Sequence, residues 1–248
     1  LKSYQNDDSD SKGFMGGFPN GVKRTRFLCD AIEIASMVDE IPPGWRKSEL
    51  IESLQSIQDP KTGLSPDPNI PIDTLEDNFI LRTGVKTKNG NHSLNDGYVG
   101  YHLLSVGYAL ENLRSHFKYP ITSIIKLSSD TILNQLNNVL PWRDRAWSSG
   151  SWIDHLSTGF YHNYKYFKQN RGIELLTGWL HENIDKSSGL WGSPTKSEQW
   201  LQPVNGFYRL TRGLHAQFGI DLPLPETSID TILNHARQNG YFSEKKRS

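Results

Sequence analysis

Apolar positions recur at three- and four-residue steps along most of this chain, which is the spacing of one helix face. Leu28, Ala31, Ala35 and Val38 predict a helix over 24–40 that "IPPG" ends. Ser48 is placed to cap a second helix with the stripe Leu50, Ile51, Leu54 and Ile57. Asn95 or Asp96 is placed to cap a third, with Val99, Leu103, Val106 and Leu110 turned inward. Tyr119-Pro120 opens a fourth that uses Ile125, Ile132, Leu136 and Val139. After the loop "PWRDRAWSSGS", helices are expected over 152–168 and 172–184. A seventh covers 200–218 with Val204, Phe207, Leu214 and Phe218 on one face. Pro225 starts an eighth with Ile229, Ile232, Leu233 and Ala236. No run alternates in the manner of a strand, so the expected class is all-α.

One stretch occurs twice. "LIESLQSIQDPKTGL" at 50–64 aligns without gaps on "LTGWLHENIDKSSGL" at 176–190, so that Leu50, Leu54, Asp59, Gly63 and Leu64 fall on Leu176, Leu180, Asp185, Gly189 and Leu190. Each copy ends a helix in a polar run and then a glycine, the residue that leaves a helix in the left-handed conformation. Trp191, next to the second copy, is expected to plug the end of its helix pair. A fixed offset with the same turn chemistry implies a helical repeat of roughly 42 residues per helix pair.

"WLHENIDKSSGLWG" and "SLQSIQDPKTGL" resemble the repeat of the α/α toroids, the group of terpenoid cyclases, squalene cyclases and protein prenyltransferase β subunits. That repeat sets an apolar pair and a glutamine before an acidic turn, a glycine and an aromatic. Gln58 fits the glutamine in one copy and Ile184 replaces it in the other; "GGFPNG" at 16–21 resembles the turn of a third unit. The resemblance implies an α/α toroid of about four helix pairs, an incomplete ring or one continuing past residue 248. Its motifs span about 50 residues directly and the rest by helix rhythm, and the expected organisation is one domain, 14–248, behind a flexible polar tail at 1–13. The family's chemistry does not follow. The Asp-x-Asp-Asp acid of the cyclases is missing, and "DTLED" at 73–77 has the wrong spacing. Cys29 follows Phe27 and Leu28, so the Asp-x-Cys zinc element is missing too.

Candidate chemistry gathers at helix starts. In "SSGSWIDHLSTGFYHNYKYF", Ser151 or Asp154 is a candidate cap, and His155, Thr158 and His162 share a face beside Trp152 and Tyr161. Asp154 and His155 are candidate acid–base groups, and the alternative is a cap with surface histidines. In "NHSLNDGYVGYH", Asp96 with His102 is a second candidate pair, Tyr98 sharing the face of His102, against a cap and a partly buried histidine. In "SEQWLQPVNGFYRLTRGLH", Asn205, Arg209 and Arg212 lie on one face behind Trp200. Two arginines on one face suit a carboxylate or phosphate, or pair with neighbouring acids. Asp73, Glu76 and Asp77 stand in the long polar loop 59–94, where they serve hydrolysis or are simply solvated. No metal-ligand spacing, phosphate loop, dinucleotide fingerprint or nucleophile elbow is present, so neither a metal nor a cofactor is expected.

Composition narrows this further. Apolar residues are 35%, low for a folded chain, beside 7 Trp, 10 Tyr and 10 Phe, which suggests burial that is largely aromatic. With 27 acidic and 27 basic residues and no basic block, nucleic acid is not an expected partner, and no apolar run reaches the ~20 residues of a membrane helix. A lone cysteine forms no internal disulfide and fits a small core residue. The chain shows no signal peptide, and its compartment is left open. Aromatics beside Asp, His, Asn and Arg suit a sugar's apolar face and polar rim, so the first expectation is an enzyme-like domain, of glycoside hydrolase or polysaccharide lyase type, acting on or binding an oligosaccharide or another small molecule in a central aromatic and polar cavity. The alternatives are a cyclase or prenyl-transfer relative and a non-catalytic repeat that binds a protein partner.

Overall fold

A computed structural model describes residues 25–66 and 97–239. Every regular element among them is helical, and β-type pairing is limited to one isolated bridge between Thr195 and Gln199. The chain is all-α. In order the elements are α1 (Thr25–Ser36), α2 (Lys47–Ser56), α3 (Gly97–Asn112), α4 (Thr122–Ile125) and α5 (Ser129–Asn134), which runs into a π-helical turn, Gln135–Val139. Then follow α6 (Ala146–Phe167), α7 (Ile173–Asn183), α8 (Leu201–Leu210) with a second π-helical stretch, Thr211–Ala216, and α9 (Pro225–Asn239). Among the described residues no helix is long and apolar enough to cross a membrane.

The chain divides into two compact units. The first comprises residues up to Ile125 together with His162–Lys168; the second comprises Lys126–Tyr161 and the chain from Gln169 on. The N-terminal tail, the "GGFPNG" turn and the acidic loop cluster Asp73, Glu76 and Asp77 lie outside the described residues.

In the first unit α1 packs along α3. The buried face of α1 is Leu28, Cys29, Ala31, Ile32 and Ala35, so Cys29 is indeed a core residue. Val38 was expected on this face but is exposed, because α1 ends at Ser36 and Asp39 turns the chain with φ 57°. Arg26 donates to Asp30 and to Ser105 Oγ of α3, and its guanidinium lies over the Tyr101 ring. The cap of α2 is Arg46 and not Ser48: the Arg46 N–H donates to the Glu49 carboxylate at 3.1 Å. Asn163 meets the backbone of Ile121 twice, accepting from its N–H at 2.8 Å and donating to its carbonyl at 3.1 Å.

In the second unit three sequence expectations give way. The fourth helix is broken, because Ser128 caps a new start by accepting from the Thr131 N–H, and Val139 at the far end is exposed. The segment expected as a loop is already helical from Ala146, which puts Ser151 and Asp154 inside α6 and removes both as caps. In α9 the buried positions are Ser228 and His235, while Ile229 and Leu233 face solvent. The core itself is mainly Leu and Ile. Phe117, Phe160 and Trp191 are the only buried Phe, Tyr or Trp side chains among the described residues, so burial is less aromatic than composition suggested.

The repeated stretch folds the same way twice. Gly63 N–H donates to Asp59 O at 2.7 Å and Asp59 N–H to Leu64 O at 2.8 Å; Gly189 with Asp185 and Asp185 with Leu190 repeat this at 2.7 and 2.9 Å. The glycines have φ 73° and 68°, the left-handed region that side chains avoid. Leu50, Leu54 and Leu64, and in the second copy Leu176, Leu180 and Leu190, are fully buried. Each aspartate folds back on its own loop, accepting from the N–H two residues on (Lys61, Ser187) and from the hydroxyl three residues on (Thr62, Ser188). These bonds hold both carboxyls below the ordinary range, led by the Lys61 N–H at Asp59 and the Ser187 hydroxyl at Asp185. Trp191 plugs the turn as expected: its indole N–H donates to Leu180 O at 2.8 Å, satisfying a carbonyl in the last turn of α7.

Candidate functional site

The second unit brings four of the sequence candidates together. Asp154 and His155 come from α6, Arg209 from α8 and Arg212 from the π-helical stretch that continues it. Glycine makes this possible. A Cβ on Gly206 would lie 2.4 Å from Ala146 O, and one on Gly213 would lie 2.5 Å from Asp154 Cα and Oδ1. α8 therefore lies backbone to backbone against α6, and Arg209 and Arg212, just before Gly213, reach Asp154. The widened turn over 211–216 places Arg212 and Gly213 at this contact, an irregularity often found at functional sites.

The Asp154 side chain is fully buried. Its Oδ2 accepts from Arg212 Nη2, and Arg209 Nη1 stands 3.8 Å from the same oxygen. The Arg212 and Arg209 side chains keep 28% and 19% of their surface exposed, and the Nε of each is buried. Tyr208 beside them is 54% exposed. Both guanidiniums lie near its ring, at 5.2 Å for Arg212 and 5.9 Å for Arg209, and Arg212 Nη1 donates to its hydroxyl at 3.2 Å. His155 is buried beside them. Burial first, and the positive charges of Arg209 and Arg212 second, push its imidazole down to about 3. It is therefore neutral at pH 7, with no proton to give as an acid and little affinity for one as a base. Thr158 turns its hydroxyl to Asp154 O at 2.9 Å, within its own helix. The sequence alternative of surface histidines does not hold, since His155 and His162 are both buried.

The other candidates lie elsewhere. Asn205 donates to Leu201 O of its own helix, at 2.9 Å. Trp200 precedes α8 as its half-buried N-cap residue, and Trp152 is half-buried on α6. Tyr161 stands edge-on to Phe218 at 5.5 Å. His162 belongs to the first unit, between Phe117 at 4.8 Å and Tyr166 at 5.7 Å, and burial pushes its imidazole down to about 4. Also in that unit, His102 meets Ser65 O through Nδ1 at 3.1 Å and is buried. Its expected partner Asp96 lies outside the described residues, as does the side chain of Tyr98.

Sequence reasoning missed Tyr208 and Gly213. Their only sequence signal is position: Tyr208 precedes Arg209, and Gly213 follows Arg212. Among the described residues no group of three or more His, Cys, Asp or Glu side chains is arranged to hold a metal ion. What the cluster offers chemically is a fixed pair of planar cations beside an exposed ring, which suits recognition of an anion or stabilisation of developing negative charge. No family model matches this chain, nor does any curated protein or solved structure.

Proposed function

We propose that the chain is a helical repeat of the α/α-toroid kind whose second unit binds, or acts on, a carbohydrate at Asp154, Arg209, Arg212 and Tyr208. The observation that carries this is the exposed Tyr208 ring with two guanidiniums lying near it. A sugar needs an apolar platform for its ring face and fixed donors for its hydroxyls, and this cluster supplies both. The paired turns at Gly63 and Gly189 support the repeat. In this reading Asp154 holds the arginines in place, and neutral His155 keeps their field undiluted by a further positive charge. A hydrolase or lyase step would draw its proton-transfer group from elsewhere. A thermal-shift screen tests the proposal, with one panel of neutral and acidic oligosaccharides and one of prenyl diphosphates with and without Mg²⁺. Ligand at about a hundred times its Kd stabilises a fold by about 2.7 kcal/mol, so a sugar hit is easily seen. Hits only among the diphosphates would sink the carbohydrate reading in favour of a prenyl-transfer relative.

One observation favours a second reading, a repeat that binds a protein partner. Ile34, Met37, Val38 and Ile41 are all exposed at the end of α1, with Met37 at 82%. Sedimentation of the parent chain and of Met37→Asp tests whether the partner is a second copy: association that the substitution abolishes would support this, and a monomer in both would remove self-association through this face.

A further inference from the structure

Independently of the carbohydrate reading, we infer that His181 and His215 form a two-coordinate site for a monovalent soft metal ion of the Cu⁺ or Ag⁺ kind. His181 comes from α7 and His215 from the π-helical stretch after α8, the widened turn already noted. Their ring centres stand 5.7 Å apart with the planes within 2° of parallel. His215 is 4% exposed, and the Nε2 atoms of both rings are buried and meet no hydrogen-bond partner among the described residues. The tautomer of His215 is set by its other nitrogen. Nδ1 stands 3.1 Å from Ile220 O and 3.2 Å from Asp221 O, and carbonyls only accept. Nδ1 therefore carries the ring proton and Nε2 presents its lone pair. An imidazole tied to a backbone carbonyl through one nitrogen, with the lone pair of the other buried and unused, is arranged as a metal ligand.

The surroundings select the ion. Trp191 lies 6.2 Å from the His215 ring, and Leu180 and Leu214, each next to one of the histidines in sequence, are fully buried. The cost of burying an ion grows as the square of its charge, so a dication costs about four times what a monocation does. Zn²⁺ also asks for four ligands, and among the described residues no group of three or more His, Cys, Asp or Glu is arranged to supply them. A filled-shell monocation takes two nitrogens in line. Metal–imidazole bonds of about 2 Å set those nitrogens about 4 Å apart and their ring centres about 6 Å apart. That is close to the spacing already present. Burial, with His181 adding to it, lowers the His215 imidazole although its carbonyl partners pull the other way, so protons compete little for the lone pair at neutral pH. His181 is half-buried and gives the ion its way in.

Titration of the intact chain decides the matter, with Ag⁺ in air and with Cu⁺ under anaerobic conditions against a chromogenic chelator. Proton–nitrogen NMR of the histidine rings should show the Nε2 resonances of His181 and His215 moving together as the ion is added, the chain's other histidines staying in place. This readout is taken on the parent chain, so it stands even where a variant folds poorly. His181→Phe keeps a ring at a half-buried position and should bind roughly 100-fold or more weakly, because the remaining imidazole loses its partner's effective concentration. Zn²⁺ at equal concentration should not displace Ag⁺. Equal binding by the parent and by His181→Phe, or movement of only one of the two rings, overturns the pair as a site. Displacement of Ag⁺ by Zn²⁺ at both rings overturns the monovalent assignment. A parent chain that takes up neither Ag⁺ nor Cu⁺ at these rings overturns the inference altogether.

Discussion

Asp154→Ala is the perturbation that most directly tests how the second unit is held together. The parent side chain is fully buried and accepts from Arg212, with Arg209 at 3.8 Å. A unit charge pair near 4 Å attracts by about 4 kcal/mol at an effective dielectric of about 20, and the cost of desolvating the carboxylate offsets much of that. Removing the carboxylate relieves its own desolvation cost but takes away the attraction that offsets the burial of the arginines, and leaves a small void beside them. Loss of one partner of a buried pair costs ~3–5 kcal/mol, and the partly exposed arginines can turn toward water, so a value near ~3 kcal/mol is expected. Urea unfolding followed by tryptophan fluorescence reads this unit well, because Trp142, Trp147, Trp152, Trp179, Trp191 and Trp200 lie in it and only Trp45 does not. With a slope of ~2 kcal/mol per molar urea, the midpoint should fall by about 1.5 M. The double variant Asp154→Ala with Arg212→Met should recover ~1–2 kcal/mol, since one of the two cations beside the void is gone. A loss under ~0.5 kcal/mol in the single variant, or strict additivity in the double, would refute the account of Asp154 as the anchor of both arginines.

Other consequences can be checked with the same unfolding assay. Gly189→Ala puts a Cβ 2.5 Å from the Ser228 backbone N at φ 68°, and Gly63→Ala puts one 2.3 Å from Pro120 O, so each should cost ~2–4 kcal/mol. Gly178→Ala, inside α7 with nothing within 4 Å, should instead gain ~0.5–1 kcal/mol, and a loss at that position as large as at Gly189 would refute the argument from space and φ. Asn163→Ala leaves the buried Ile121 N–H and carbonyl without their side-chain partner and should cost ~2–3 kcal/mol, visible as faster hydrogen exchange of the Ile121 amide. Acid should destabilise the fold early. Unfolded imidazoles take up protons below about 6.5, whereas His155 stays neutral down to about 3 and His162 down to about 4. Stability therefore falls as pH drops from about 6.5, by ~1.4 kcal/mol per pH unit for each such imidazole, with His215 and His235 shifted in the same direction. His162→Asn should flatten that slope by one proton between pH 6 and 4.5, and midpoints that stay constant over that range would count against the buried neutral histidines.

The sequence carried the helices because each holds an apolar stripe, and α1, α2, α3 and α7 sit close to where periodicity put them. It misjudged the ends, where local competition decides. Ser128 captures the Thr131 N–H and so interrupts a stripe that reads as continuous through Ile125, Ile132 and Leu136. α6 runs back to Ala146 through a serine- and glycine-rich stretch that reads as a loop, because Gly150 packs on Gly206 of α8 and the pairing of the two helices overrides the weak propensity. The candidate residues were legible as types but not as partners. Arg209 and Arg212 share a helix face by spacing alone, yet their acid is 55 and more residues earlier on α6, and only the glycine-mediated approach of the two helices brings it in. Nothing in the order of residues separates that outcome from an arginine pair facing solvent.

The glutamine missing from the second copy of the repeat shows how a turn keeps its geometry when its sequence drifts. In the first copy Gln58 Nε2 donates to Gly63 O at 2.9 Å and to Tyr119 O at 2.7 Å, and Gln58 Oε1 accepts from the Tyr119 N–H. One side chain thus satisfies the turn carbonyl and tethers the chain that enters α4. In the second copy Ile184 fills that position and packs as a buried apolar residue. The corresponding carbonyl, Gly189 O, still has its donor: the Ser228 hydroxyl of α9, at 2.7 Å. A buried carbonyl left without a donor costs ~1–3 kcal/mol, so the requirement is fixed even though its supplier is not. The tether changes with the supplier. The first copy holds the following segment from the turn outward, whereas the second is held by the incoming helix, whose buried positions are for that reason Ser228 and His235 and not the apolar stripe its sequence displays. Ser228→Ala should therefore loosen α9 and the Gly189 turn together. Adding Ile184→Gln should return part of the loss, because the glutamine donor then regains the carbonyl that it serves in the first copy. If the double variant is no more stable than Ser228→Ala alone, the two donors are not interchangeable and the equivalence of the turns ends at the backbone.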